Sequence, residues 1–124
     1  MSERYETGMA NRRSTLGAEY VAAAVATSPA VGGDFQQLLT EYCWGGAWAA
    51  GTLEPKHRSL VTVAILATLG RLEELQLHTR GALRNGATAD ELTAVVTHVA
   101  IYAGVPAGLQ ALRIANVIVD SSTD

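Results

Sequence analysis

Apolar residues recur along the chain every third or fourth position, and no stretch alternates apolar and polar residues as a half-buried strand would. The pattern predicts an all-α chain of six or seven helices. The first covers Glu3 to Leu16 and stops at Gly17, a residue suited to a left-handed cap. AEYVAAAVAT forms the second, and SPAVGG breaks it. Asp34 is placed as the N-cap of FQQLLTEYCWGGAWAA, with Phe35, Leu38, Leu39 and Tyr42 on one face. Gly45 and Gly46 fall in the second half of that helix, where each costs roughly 1 kcal/mol relative to Ala. Such a pair makes sense only if something approaches the backbone closely.

Pro55 fits the first turn of the next helix. RSLVTVAILATLG is apolar nearly all round, which predicts a central helix covered on every side. Gly70 ends it, and EELQLHTRGALRNG supplies another helix closing at Gly86. Thr88 and Glu91 have the spacing of a capping box, so a helix opens there and runs through LTAVVTHVAIYA to Gly104. Pro106 opens the last helix, and residues 119–124 are expected to fray. With no repeat and no linker, residues 1–124 read as one domain. The apolar positions Val95, Val99, Ile101, Leu109, Leu112, Ile114, Val117 and Ile118 exceed what one central helix covers. A homo-oligomer is the expected remedy.

Charge removes some functions. Nine Lys and Arg against twelve Asp and Glu give a net charge of -3 with no basic block, so a nucleic-acid partner is not expected. The single cysteine, Cys43, cannot close an intrachain disulfide, which suits a reducing compartment. MSERYETGMANRR has no apolar core of a secretory signal, and no apolar run reaches membrane-spanning length. The expected location is the cytoplasm, without a membrane partner.

Candidate chemistry concentrates in two helices. Helical spacing makes Arg71 and Glu74 i,i+3 neighbours and Glu74 and His78 i,i+4 neighbours. A nearby carboxylate raises an imidazole pKa and burial lowers it, a balance that suits a general acid or base. The plainer reading is that His78 edges the apolar stripe while Glu74 solvates the helix. His98 sits among Ala94, Val95 and Val99, so it is expected to be largely buried, with Tyr102 one turn later. His57, His78 and His98 show no metal-ligand spacing, no GxSxG elbow is present, and no phosphate loop follows a strand. No metal and no cofactor are expected.

RYETGM, DFQQLLTEYCWGGAW, RSLVTVAILATLGRLEELQLHTRGALRNGAT and HVAIYAGVP together resemble the gamma-carboxymuconolactone decarboxylase family. The likeness runs from Arg4 to about Val117. That family lies in the alkylhydroperoxidase-D-like superfamily, so the resemblance implies an all-α fold assembling as a ring-shaped homo-oligomer, a trimer or hexamer. It implies cofactor-free decarboxylation of gamma-carboxymuconolactone to the enol lactone of beta-ketoadipate in aromatic catabolism. By the same resemblance His78 carries the proton transfer and Glu74 orients it. Arg58 or Arg71 binds a carboxylate of a small anionic lactone. His98 and Tyr102 line the pocket or donate to the enolate, and Trp44 and Trp48 wall it. The redox branch has a CxxC before this histidine; here those positions are Arg71 and Glu74, so disulfide peroxidase chemistry is not implied. Three positions depart from the family pattern: Gly46 for a glutamate, Tyr20 for a histidine, and Leu109 for an asparagine. They keep open an alternative, acid–base chemistry on a bulkier secondary-metabolism substrate.

Overall fold

Ser2 Oγ accepts a hydrogen bond from the Tyr5 amide at 3.1 Å and so starts the first helix, α1 (Glu3–Leu16). The computed structural model describes residues 2–27 and 30–122, which divide into two compact units, 1–55 and 56–124. Among the described residues every regular element is helical, and none is long and apolar enough to cross a membrane.

In the first unit Gly17, at φ +95°, ends α1, and α2 (Ala18–Ala26) follows. The single helix expected after Asp34 is three pieces: α3 (Phe35–Leu39), a π-helical turn (Thr40–Trp44) and a 3-10 turn (Ala47–Ala49). Asp34 is not its side-chain cap. Its backbone is in a turn conformation, φ -83° and ψ 13°, and its carboxylate makes no capping bond. The face expected from Phe35, Leu38 and Tyr42 is exposed, and Arg4 stacks over the Tyr42 ring at 5.1 Å.

The glycine pair has a physical reason. A Cβ on Gly8 would overlap the Thr40 carbonyl and lie 2.8 Å from the Gly45 amide nitrogen. A Cβ on Gly45 would overlap the Arg4 carbonyl, and one on Gly46 the Tyr42 carbonyl. Thus α1 and the π-helical turn pack backbone against backbone, which only glycine permits. The Gly45 amide reaches back to the Thr40 carbonyl at 2.8 Å, the wider ring that defines the π turn.

The second unit holds α4 (Pro55–Leu69) from Lys56 onward, α5 (Leu72–Arg84), α6 (Ala89–Ala103) and α7 (Val105–Ser122). Its core gathers Val63, Ala67, Leu75, Ala82, Leu92, Val96, Val99 and Ala111. The capping box is formed: Glu91 N donates to Thr88 Oγ1 at 3.1 Å and Thr88 N to Glu91 Oε1 at 3.0 Å. α7 continues through Val119–Ser122, part of the stretch expected to fray; residues 123 and 124 lie outside the described ones. α4 is not covered on every side of this chain. Val63 and Ala67 enter the core, while Val61, Ile65 and Leu69 form an exposed stripe at four-residue spacing.

Candidate active site

α5 is built around the stripe Leu75, Thr79 and Ala82, all buried in the second unit. His78 follows Leu75 by three positions and precedes Ala82 by four, so the helix sets it at the edge of that stripe, half-buried. Glu74, one turn earlier, is exposed. The far end of α5 is tied down by Asn85 Nδ2, which donates to the buried Ser59 Oγ on α4 at 3.0 Å. That bond fixes α5 against α4 and hence the platform under His78.

Two opposing effects act on the imidazole. Burial lowers its pKa below the ordinary value of 6.5, and the Glu74 charge raises it by less. Burial wins, so the ring is mainly neutral near pH 7. The Glu74 carboxylate one turn away works against that burial. An anion arriving there would add to the Glu74 field and draw a proton onto the ring.

The remaining expected residues fall into separate groups. Arg58 lies half-buried in the first turn of α4, immediately before buried Ser59. Arg71 occupies the N-cap position of α5 and is exposed; it forms no ion pair with Glu74, the i,i+3 partner that spacing suggested. His98 and Tyr102 stack on α6 with ring centroids 4.6 Å apart, tilted by 37°. Both are exposed, Tyr102 at 79%, contrary to the burial expected for His98. The reason is helical phase. Leu92, Val96 and Val99 take the buried stripe of α6, which leaves positions 98 and 102 on the other side. There the two rings border an apolar groove of about 520 Å³ between α4 and α6, lined also by Leu60, Val61, Ala64 and Val95. His78, Glu74 and Arg58 are not among its lining residues. Trp44 and Trp48 pair in the first unit at 4.7 Å, Trp44 buried and Trp48 half-buried. Asn11 Nδ2 holds the Trp44 carbonyl at 3.0 Å.

Among the described residues no group of three or more His, Cys, Asp or Glu is placed to hold a metal ion. One polar residue escaped the sequence reading: Arg12, buried on the inner face of α1 with Gly8, Met9, Thr15 and Leu16. Its signal was present, because an arginine four residues after Gly8 and four before Leu16 falls on an apolar stripe rather than a solvated face.

Comparison of the sequence with known proteins places the chain in a family. The carboxymuconolactone decarboxylase family profile matches residues 33–116, a span that includes His78, Glu74, Arg58 and the π-helical turn. The chain is 37% identical over 113 residues to a 4-carboxymuconolactone decarboxylase of Acinetobacter baylyi, covering 91% of this chain and 84% of that protein. It is 34% identical over 120 residues to a nitrosuccinic acid decarboxylase of Metarhizium robertsii, covering 97% of this chain and 84% of the relative. With its all-helical fold and this extent of likeness, the chain belongs to the carboxymuconolactone decarboxylase family.

Proposed function

We propose that the protein is a carboxy-lyase acting on a small polyanionic acid whose departing carboxylate neighbours an electron-accepting group, with 4-carboxymuconolactone the first candidate. The relatives' named substrates share that chemistry. In an unsaturated lactone the conjugated carbonyl takes up the electron pair left by carbon dioxide. In nitrosuccinic acid the nitro group can do so. Each substrate brings its own electron sink, so the protein has to bind anions, steady the developing charge and supply a proton.

The observation that supports this best is half-buried His78 with Glu74 one turn before it on α5. Substrate negative charge raises the ring's pKa, so the imidazole takes up a proton as the substrate binds. The carbon–carboxylate bond then breaks and its electron pair moves into the acceptor. The imidazolium gives its proton to the carbanionic carbon and returns to neutral. The sum is one carboxylate lost as carbon dioxide, one carbon–hydrogen bond formed, and one proton taken from solvent. Arg58, half-buried, suits the carboxylate-binding role better than exposed Arg71, because partial desolvation strengthens a charge-assisted pair.

Incubating the purified protein with 4-carboxymuconolactone and, separately, with nitrosuccinic acid, while following carbon dioxide, tests the reading. Release is expected from at least one acid, falling at least about a hundredfold in His78→Ala. Undiminished release in the variant would remove the proton carrier, and no release from either acid would remove the substrate class.

A second reading, a larger and less polar acid, draws on two residues. Gly46 has no room for the glutamate of the family pattern, and Leu109 stands exposed at a groove of about 630 Å³ shared with Gln110 and Arg113. Faster turnover of bulkier acids in the same assay would favour it; their rejection would count against it. We further infer a homo-oligomer, because Val61, Ile65, Leu69, Ile101 and Val117 are exposed on one chain. A monomer in sedimentation velocity would remove that inference.

A further inference from the structure

Arg80 on α5 and Arg113 on α7 make no hydrogen bond or ion pair with any described residue. Arg12 in the first unit differs: its Nη1 donates to Thr40 Oγ1 at 3.2 Å and its Nη2 to Gln36 Oε1 at 2.8 Å. Arg80 and Arg113 instead border one cavity of about 230 Å³, which they share with Gln76, Ile114, Val117 and Ile118. All six residues belong to the second unit.

Helical spacing assembles this cavity. Gln76 and Arg80 stand one turn apart on α5, as do Ile114 and Ile118 on α7. Ile118 is 2% exposed, Ile114 half-buried and Val117 68% exposed, so the apolar floor rises from the core to the surface. Both arginines are exposed while the lining is almost entirely apolar, so their aliphatic stems wall the space and their charged heads lie toward solvent. No acidic residue lines it. Glu73, three positions before Gln76, and Asp120, three after Val117, are both outside the lining. At 100° per residue, Gln76 and Arg80 lie roughly 160° round α5 from Glu74 and His78, so the cavity opens on the opposite side of that helix.

Two cations around one cavity, with no acid between them, favour an anion. The planar fork of a guanidinium matches a carboxylate. An inorganic anion would leave the isoleucine floor unfilled, so the ligand needs an apolar body as well as a charge. Pockets for drug-sized molecules run from roughly 300 to 1,000 Å³, and this one is smaller, which limits that body to a single ring or a short branched chain. We propose that the cavity between α5 and α7 is an accessory site for a small apolar monocarboxylate, its charge held by Arg80 and Arg113 and its body set against Ile114 and Ile118. The site lies away from His78 and is read out by binding, so it stands or falls apart from the decarboxylase reading.

The test is a benzoate titration of the intact protein, followed by NMR at the isoleucine δ1 methyls, which Ile→Val variants assign. Ile114 and Ile118 should shift saturably, while Ile65 and Ile101, outside the lining, serve as internal controls and stay in place. Benzamide keeps the ring without the charge and acetate keeps the charge without the ring; each should bind at least about tenfold more weakly. Arg80→Gln is the first variant, because Arg113 also borders the groove beside Leu109, and it should weaken benzoate at least about fivefold. The methyl shifts should persist in His78→Ala. Unmoved Ile114 and Ile118 methyls, whether the cavity is empty or covered by a second copy, would overturn the proposal. So would benzamide or acetate binding as well as benzoate, phenyl phosphate binding more tightly, or loss of the shifts in His78→Ala. Should a variant fail to fold, the wild-type comparison of benzoate, benzamide and acetate decides the matter.

Discussion

The two units reach close packing by different means. In residues 56–124, large aliphatic side chains from four helices meet, with Leu75, Leu92, Val96 and Val99 at the centre. In residues 1–55 backbones approach closely at Gly8, Gly45 and Gly46, much as Gly108 lets α7 approach Ala100 on α6 in the other unit, but among the described residues the regular helical ladder gives way to a π turn only here. The units also treat a buried basic group differently. His78 meets desolvation by staying neutral, whereas Arg12 cannot, and is met by two neutral oxygens. A group that can change protonation state suits proton transfer.

Truncation should therefore cost most in the aliphatic core, and overpacking where a glycine admits a close neighbour. Leu75→Ala leaves a cavity in the second unit and should cost about 3 kcal/mol in urea denaturation. Gly8→Ala adds a methyl where the Thr40 carbonyl already stands and should cost about 2 kcal/mol, with loss of the Arg12 contacts to Thr40 and Gln36. A harmless Gly8→Ala would break the contrast between the units. Thr88→Ala removes one half of the capping box of α6 and should cost about 1 kcal/mol in the same assay.

The sequence made the regular helices legible because their ends are local events. Gly17, Pro55, Gly70 and the Thr88–Glu91 box each act within a turn, and the boundaries fall beside them. The π turn was not legible, since its register depends on how α1 lies against Thr40 and Gly45, yet the glycine pair signalled that a close neighbour was required. Periodicity marked α4 as apolar all round but could not say that Val61, Ile65 and Leu69 face outward in a single chain. At the site, spacing placed Glu74 beside His78 and named the two effects on the ring. Which effect dominates depends on burial by neighbouring helices. His98 departs from expectation for a related reason: its neighbours in sequence are apolar, but the buried stripe runs through Leu92, Val96 and Val99.

The smallest effect on stability is the most informative about mechanism. Because the folded-state pKa of His78 is lowered, the unfolded chain binds the extra proton more readily, and stability rises with pH through that region. The His78 contribution is fully present above 6.5 and is lost as pH falls through the lower folded-state value. His78→Gln should flatten that part of the stability profile and leave the stability near pH 8 largely unchanged.

Most direct is an NMR titration of the His78 ring, first in the free protein and then with a saturating non-reactive dicarboxylate such as succinate. A midpoint below 6.5 in the free protein, moving upward when the anion is bound, is the predicted result. A ring that titrates at or above 6.5 when free, or whose midpoint ignores the bound anion, would contradict proton uptake by His78 on substrate binding.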